Sequence, residues 1–171
     1  MTLIRVYSGR EFSLTEPTVE QFDIRDVAHA LAGIYRWGAQ SPVRFTVAQH
    51  CVIVMSLVPP RLQWEALMHD YLEAYLGDIP LPTKALLPDW QALEAKLHAV
   101  GRQAFGLPET VSPLVHEADQ SCRITWEERI VWDIDKAWVA WSPERAEIEF
   151  LRRVVNLSEG SVTIRPESLN L

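Results

Sequence analysis

One stretch of the chain decides the fold: residues 66–84, which read ALMHDYLEAYLGDIPLPTK. His69 and Asp70 are adjacent at the end of an apolar run, and Glu73 follows at helical spacing. A histidine nitrogen beside a hard carboxylate oxygen is a ligand mixture that suits Mn, Fe, Co or Zn better than Ca. The stretch therefore predicts part of a metal site for phosphate-ester chemistry, and the remaining ligands must come from elsewhere in the chain.

Two other helical segments carry candidate ligands. His50 lies in the strongly apolar run 46–58, and Asp119 lies in a run otherwise suited to packing. A lone histidine on an apolar stripe is more often a core residue. Together with His69 and Asp70, however, these residues make a four-ligand set that leaves room for water and substrate on a six-coordinate ion, as a catalytic metal requires.

The hydrophobic pattern predicts an all-α protein with a short amino-terminal arm. Residues 1–22 hold an extended piece and a turn, which predict an arm or small hairpin, and residues 23–171 predict the helical body. No linker or repeat divides the 171 residues, so we predict a single domain. Helices are predicted at about 24–38, 46–58, 62–76, 89–105, 113–134 and 143–155, with Thr46 as an N-cap, Gly77 as a helix stop and Pro143 as a first helical residue.

The composition narrows the range of partners. A formal net charge of −7 disfavours a nucleic-acid polymer, because duplex binding depends on clustered Lys and Arg. No stretch approaches the roughly 18 uninterrupted apolar residues of a membrane span, and the amino terminus lacks a secretory apolar core. We therefore expect a cytoplasmic protein with no membrane partner, in which Cys51 and Cys122 are reduced and buried.

The ordered set of motifs resembles the HD-domain metal-dependent phosphohydrolases. The order His50, His69-Asp70, Asp119 looks like that family. Residues 66–84 are similar to the HD, E-A and G-D-x-P-x-P-x-K signature of the bacterial 5′-deoxynucleotidases. The chain also resembles the compact phage and prophage HD hydrolases in four further short motifs, Tyr7–Arg10, Asp26–Leu31, Arg36–Gly38 and Val47–His50. The resemblance extends from about residue 7 to about residue 125 and implies an HD-domain helical bundle.

The resemblance implies a role for each matching position near the metal. One divalent ion, which could be Mn, Co, Fe, Zn or Mg, would be held by His50, His69, Asp70 and Asp119. Glu73 would act as the general base or position the attacking water. Asp78 would orient that water or protonate the leaving oxygen. The alternative for Glu73 is a solvated helix residue, and the alternative for Asp78 is a turn cap beside glycine.

Three further positions are implied to bind substrate. Arg36 would hold phosphate through its planar guanidinium, although it could instead cap a helix carboxyl end. Trp37 would pack against the sugar or base, with plain core packing as its alternative. Lys84 is a weaker candidate for a phosphate contact. His29 lies two helical turns before Arg36 on the predicted helix and would share its face.

The function that the resemblance implies is hydrolysis of a deoxynucleoside 5′-monophosphate to nucleoside and phosphate by a metal-activated water. The alternative within the family is a dNTP triphosphohydrolase, which should need more cations than the nearby Arg36, Lys84, Arg44 and Arg10. A degenerate HD domain that only binds a nucleotide is the non-catalytic alternative. The tryptophan-rich stretch 132–141 makes a homo-oligomer plausible, and a dimer is usual in the resembled nucleotidases.

Overall fold

The structure is a computed structural model that describes residues 2–123 and 140–158. These residues are mostly helical and contain one two-stranded sheet, which confirms the predicted all-α class. The elements are strands β1 (Leu3–Arg5) and β2 (Glu11–Ser13) and helices α1 (Ile24–Gly33), α2 (Val47–Ser56), α3 (Gln63–Leu67), α4 (Glu73–Leu76), α5 (Leu81–Lys84), α6 (Pro88–Ala104), α7 (Pro113–Ser121) and α8 (Pro143–Ser158).

The amino-terminal arm is a hairpin, as predicted. Strands β1 and β2 pair antiparallel, with Ile4 opposite Phe12. An isolated two-stranded hairpin is marginal in water at best, so the arm needs other contacts. Phe12 supplies them, because its fully buried ring stacks on Tyr75 at 4.2 Å and meets Phe22 edge-on at 5.1 Å. The arm is therefore part of the hydrophobic core.

Helix α2 lies in the middle of the helical body. It packs against α1, α3, α7 and α8, while α1 also packs against α4 and α8. Seven of the ten residues of α2 are buried, as expected for a helix that is apolar on nearly every side. Thr46 caps its amino end as predicted, since the side-chain oxygen accepts the Gln49 N–H at 3.1 Å. This central position is what buries His50.

Helix α1 ends earlier than predicted. The apolar stripe predicts a helix to residue 38, whereas α1 ends at Gly33 and Ile34 is extended. The reason is a pairing with the chain that precedes α2. The Arg36 N–H donates to the Phe45 carbonyl at 2.9 Å, and the Val47 N–H donates to the Ile34 carbonyl at 3.0 Å. This pairing turns residues 36–39 into a separate 3-10 turn.

The helix predicted over 62–76 is also interrupted. Helix α3 ends at Leu67, α4 begins at Glu73, and tight turns join them. The Glu73 N–H donates to the Asp70 carbonyl at 3.0 Å, a bond that spans three residues. In such turns the side chains of residues that are three positions apart lie one above the other. Asp70 and Glu73 therefore stay on one side of the chain although no regular α-helix joins them.

The remaining boundaries agree with the sequence where the structure describes them. Gly77, at a φ of +82°, ends α4, and Pro143 begins α8. The predicted helix 113–134 is observed as α7, and its continuation from residue 124 lies outside the described residues, as does most of the stretch 132–141 behind the homo-oligomer prediction. Among the described helices, none combines the length and apolar character needed to cross a membrane.

Candidate metal centre

The four predicted ligands converge on one point. The Nε2 atom of His50 lies 3.1 Å from Nε2 of His69 and 3.1 Å from Oδ1 of Asp119. Oδ2 of Asp70 lies 3.5 Å from the His50 nitrogen and 3.2 Å from the His69 nitrogen. Donor atoms about 2.1 Å from a shared ion would be about 3.0 Å apart at octahedral angles and about 3.4 Å apart at tetrahedral ones. The spacing therefore suits a single ion.

Both histidine rings are held with Nε2 toward the convergence point. Nδ1 of His69 donates to the Ala66 carbonyl at 2.8 Å, which leaves Nε2 without a proton in the neutral ring. Nδ1 of His50 lies 3.7 Å from the sulfur of the buried Cys122. Fixing the outer nitrogen of a ligand histidine sets the tautomer and the ring orientation that a metal needs.

The contact that places Asp119 against the histidines comes from α3. Glu65 is buried in α3 and accepts two hydrogen bonds from Ser112, one from the backbone N–H at 2.5 Å and one from the hydroxyl at 2.6 Å. Ser112 immediately precedes α7, so the carboxylate caps that helix from another element. Helix α7 is thereby fixed next to the segment that carries His69.

The electrostatics of the cluster favour a cation. Burial raises the pKa of Asp119 and of Asp70, but hydrogen bonds and charge from the two histidines outweigh it and hold both pKa values far below the ordinary range. Burial likewise lowers the pKa of His69, yet the carboxylate of Asp70 reverses this and raises the pKa well above its usual value. The two carboxylates thus stabilise positive charge at the point where a metal ion would bind.

Cys51 is a further group near the cluster. Its sulfur, with ligand atoms of His69 and Asp70, lies in a set whose members are all within 4.8 Å of one another. Burial raises the pKa of this thiol to about 11. A protonated thiol is a poor metal ligand near neutral pH. The His50, His69 and Asp119 set, with Asp70 beside it, is therefore the better site.

A cavity of about 290 Å³ adjoins this centre. One wall is apolar and consists of Trp37, Ile79, Pro80, Leu81 and Pro82. Four carboxylates line the cavity, from Asp70, Glu73, Asp78 and Asp119, and three cations line it, from Arg36, Lys84 and Arg123. All five residues predicted for catalysis or substrate binding therefore share one cavity with two of the candidate metal-ligand carboxylates.

Glu73 carries an unsatisfied polar atom. Its Oε2 is shielded from solvent and has no hydrogen-bond partner among the residues that the structure describes. Burial raises the pKa of this carboxyl well above its ordinary value, and the charges of Asp70 and Asp78 raise it further. A buried acceptor without a partner is rare in folded proteins. Because Glu73 lines the cavity, its Oε2 can accept a hydrogen bond from a water bound there.

Asp78, the second carboxyl predicted to take part in catalysis, is held by the backbone of Trp37. The Trp37 backbone lies in the left-handed region, with φ +55° and ψ +32°, which is costly for a bulky residue. Its N–H donates to Oδ2 of Asp78 at 3.1 Å. Burial raises the pKa of Asp78 despite the nearby Arg36. The strained turn therefore fixes one carboxyl oxygen of Asp78 and leaves the other available to a ligand.

The two predicted phosphate-binding cations differ in their surroundings. Nη1 of Arg36 lies 3.5 Å from Oδ2 of Asp70, and its guanidinium lies 5.6 Å from the Trp37 ring centre. This places Arg36 next to the metal centre. Nζ of Lys84 donates to Oε1 of Glu94 at 2.7 Å, so much of its charge is already compensated.

Several sequence expectations were wrong. His29 does not share a helix face with Arg36, because α1 ends between them; its ring stacks on Tyr7 at 3.7 Å. Arg10 and Arg44 do not line the cavity, since Arg10 pairs with Asp23 and Asp26 and Arg44 lies over Tyr35.

Arg123 and Gln120 line the cavity but were missed from the sequence. Arg123 follows Asp119 by four residues, so helical spacing could have placed it on the ligand-bearing face of α7. That signal was weak, because a lone arginine in a charged segment is typical of a solvated surface.

The described structure is thus an all-α protein with a His/Asp cluster that could hold a metal ion. Comparison with known proteins shows which protein family the chain belongs to. The chain is 41% identical over 119 residues to the uncharacterized protein YfdR of Escherichia coli (strain K12), a match that covers 70% of this chain and 67% of YfdR. The chain therefore belongs to the protein family that contains YfdR.

A second relative is more distant. The chain is 33% identical over 124 residues to an uncharacterized protein of Rhodobacter capsulatus, a match that covers 67% of this chain and 63% of that protein. The chain thus spans about two thirds of the length of these relatives. A search with protein-family models found no match.

Proposed function

We propose that the protein is an HD-domain phosphohydrolase that converts deoxynucleoside 5′-monophosphates to nucleoside and phosphate. The observation that carries the proposal is the convergence of four ligand atoms beside a cavity that holds the unsatisfied Oε2 of Glu73. A divalent ion held by these ligands would activate water as a Lewis acid and offset charge on the phosphate. Four protein ligands leave positions for water and substrate on a six-coordinate ion.

Glu73 is proposed as the general base. Its raised pKa brings the carboxylate closer to the affinity for protons that a base needs near neutral pH. It takes a proton from the water as the water oxygen bonds to phosphorus. The bond from phosphorus to the 5′ oxygen breaks in the same displacement. Asp78, whose pKa is also raised, gives a proton to that leaving oxygen.

Arg36 and Trp37 are proposed to bind substrate from the turn that follows α1. Arg36 can direct its planar fork at phosphate oxygens while it stays next to Asp70. The Trp37 ring belongs to the apolar wall of the cavity, which can pack against the sugar or base. Both side chains are fixed by one turn, so phosphate and nucleoside would be positioned together.

The size and charge of the cavity favour a monophosphate over a triphosphate. Its volume of about 290 Å³ is at the small end of the range for ligand sites. Two of the three cations that line it already contact carboxylates, Arg36 with Asp70 and Lys84 with Glu94. A triphosphate carries about four negative charges and would need more uncompensated cations than these.

The experiment is product analysis with purified protein and added Mn or Co. Deoxynucleoside monophosphates, ribonucleoside monophosphates and dNTPs are supplied separately, and phosphate is distinguished from triphosphate. Bound metal is measured on the same samples. Asp70→Ala removes a ligand, and Asp89→Ala, at an exposed residue of α6, is the matched control. We expect phosphate from deoxynucleoside monophosphates in the wild type and in Asp89→Ala, with a loss of at least 100-fold in Asp70→Ala.

Two outcomes would contradict the proposal. Triphosphate released from dNTPs would replace it with the triphosphohydrolase reaction. Full metal occupancy with no product from any nucleotide would support a nucleotide-binding module without catalysis.

A further inference from the structure

Arg123 is a cation in the cavity to which no role has been given. It lies four residues beyond Asp119, and residues 122 and 123, which directly follow α7, have π-helical geometry. This geometry occurs frequently at functional sites. The side chain therefore enters the cavity from the element that supplies a metal ligand, whereas Arg36 enters from the turn that follows α1.

Among the described residues, the hydrogen-bond partner of the Arg123 guanidinium is a neutral amide. Nη2 of Arg123 donates to Oε1 of Gln120 at 3.0 Å. This bond orients the guanidinium but leaves its full positive charge. Arg36 and Lys84 differ, because each lies within 3.5 Å of a carboxylate oxygen. Arg123 is therefore the cavity cation whose charge is least compensated within the part of the chain that the structure describes.

The charge balance of the cavity depends on this residue. Four carboxylates and three cations line the cavity. With Asp78 protonated, as its proposed role as proton donor requires, their charges cancel. A divalent ion would then give the cavity two net positive charges. Removal of Arg123 would reduce these to one, so the metal-loaded cavity would attract a phosphate dianion less.

We propose that Arg123 binds the phosphate group of the substrate as a second guanidinium beside Arg36, and so favours a dianionic phosphate monoester over a singly charged diester. This inference rests on the proposed function, because it assigns a specificity residue to the same site. Bidentate hydrogen bonds from two arginines match the geometry of a terminal phosphate with three free oxygens. A phosphate diester has only two free oxygens and one negative charge, so it would form fewer and weaker hydrogen bonds with the two arginines.

The test compares Arg123→Gln and Arg123→Lys with Arg152→Gln, a matched control at an exposed arginine of α8. Binding of inorganic phosphate to the Mn-loaded protein is measured by calorimetry, and Mn affinity and helical circular dichroism are measured separately. We expect Arg123→Gln to weaken phosphate binding about 10-fold to 100-fold, as for loss of a charge-assisted hydrogen bond. Arg123→Lys should retain part of the affinity, and Arg152→Gln should retain all of it.

Steady-state kinetics provide the second measurement. With a deoxynucleoside monophosphate, Arg123→Gln should raise KM by about the factor lost in phosphate affinity, while a diester substrate should be affected less. Unchanged phosphate affinity in Arg123→Gln would overturn the inference. So would a wild type that binds no phosphate with Mn present, or a loss accompanied by equal loss of Mn or of helical signal, since that would be a structural role.

The two proposals can fail separately. If no nucleotide is hydrolysed but phosphate binding depends on Arg123, the hydrolase proposal fails and the phosphate site remains. If nucleotides are hydrolysed with the same KM in Arg123→Gln as in the wild type, the hydrolase proposal remains and the role of Arg123 fails.

Discussion

The carboxylate of Glu65 accepts hydrogen bonds from both the backbone N–H and the hydroxyl of Ser112. This one side chain thus joins α3, which leads to His69, to the start of α7, which carries Asp119. The two parts of the candidate metal centre are separated by about fifty residues of sequence. This buried contact helps to set their relative position, together with the hydrophobic cluster that joins Ala66 of α3 to Val115 and Ala118 of α7.

Replacing Glu65 should therefore affect both stability and metal binding. Glu65→Ala leaves the Ser112 N–H and hydroxyl without their acceptor, which costs about 1–3 kcal/mol of unfolding free energy. It should also weaken Mn binding, because α7 is less firmly placed. Urea unfolding and calorimetry measure the two effects, and Glu109→Ala, at an exposed glutamate, is the control. A variant as stable as the wild type would show that Ser112 finds another acceptor at no cost.

Glu73→Gln should increase the stability of the metal-free protein at higher pH and decrease its catalytic activity. A carboxyl whose pKa is raised on folding stabilises the fold when protonated, and this contribution is lost as pH rises from the ordinary value of 4.5 through the raised pKa. The amide has no charge to bury. We expect the metal-free variant to gain stability relative to the wild type as pH rises through that window, while hydrolysis falls at least 100-fold. Thermal unfolding of both proteins is measured without metal over a range of pH. A difference in stability between them that stays constant with pH would contradict the expectation.

Asp78→Ala should loosen the turn that contains Trp37. The variant removes the acceptor of the Trp37 N–H, so the left-handed backbone of Trp37 loses its hydrogen bond to Asp78. We expect faster hydrogen exchange at the Trp37 amide and a higher KM, by about 10-fold. Asp78→Asn keeps an acceptor oxygen and should preserve the slow exchange while it loses the proton-donating function. Equal exchange rates in the wild type and Asp78→Ala would refute the proposed link.

Two glycines in helices make a matched pair for packing. A Cβ on Gly101 would lie 2.5 Å from Cε2 of the buried Tyr71 and 2.8 Å from Cε1 of Phe22, whereas a Cβ on Gly33 would meet nothing within 4 Å. Gly101→Ala should therefore destabilise the protein by about 1–3 kcal/mol. Gly33→Ala should stabilise it by about 0.5–1 kcal/mol through reduced unfolded-state entropy. Chemical denaturation measures both, and the prediction fails if the two variants change stability in the same direction.

The residues of the candidate metal centre could be selected from the sequence because they lie in short, recognisable motifs. His69 and Asp70 are adjacent, and His50 and Asp119 lie in helical runs that are otherwise apolar or packed. The helix ends could not be predicted equally well. The break after Gly33 depends on pairing with residues 45–47, and periodicity within one segment carries no information about such a partner.

The role of Glu65 was not visible in the sequence for the same reason. Its partner Ser112 lies 47 residues away, and a glutamate in a short helix is most often solvated. Arg123 was missed because the role that we propose for it depends on the lack of a compensating carboxylate among the described residues, which only the spatial neighbours reveal. Long-range contacts and charge balance are thus the parts of the site that the sequence left undetermined.

The buried ring of Phe12 has a consequence for how the protein is made. Its stacking partner Tyr75 follows it by 63 residues, so during synthesis on the ribosome the arm leaves the exit tunnel well before that partner exists. The hairpin cannot hold its structure alone in the interval. The arm is therefore translated before its packing partner but can reach its native place only after that partner, and a nascent chain interrupted before α4 would present Phe12 to chaperones and proteases.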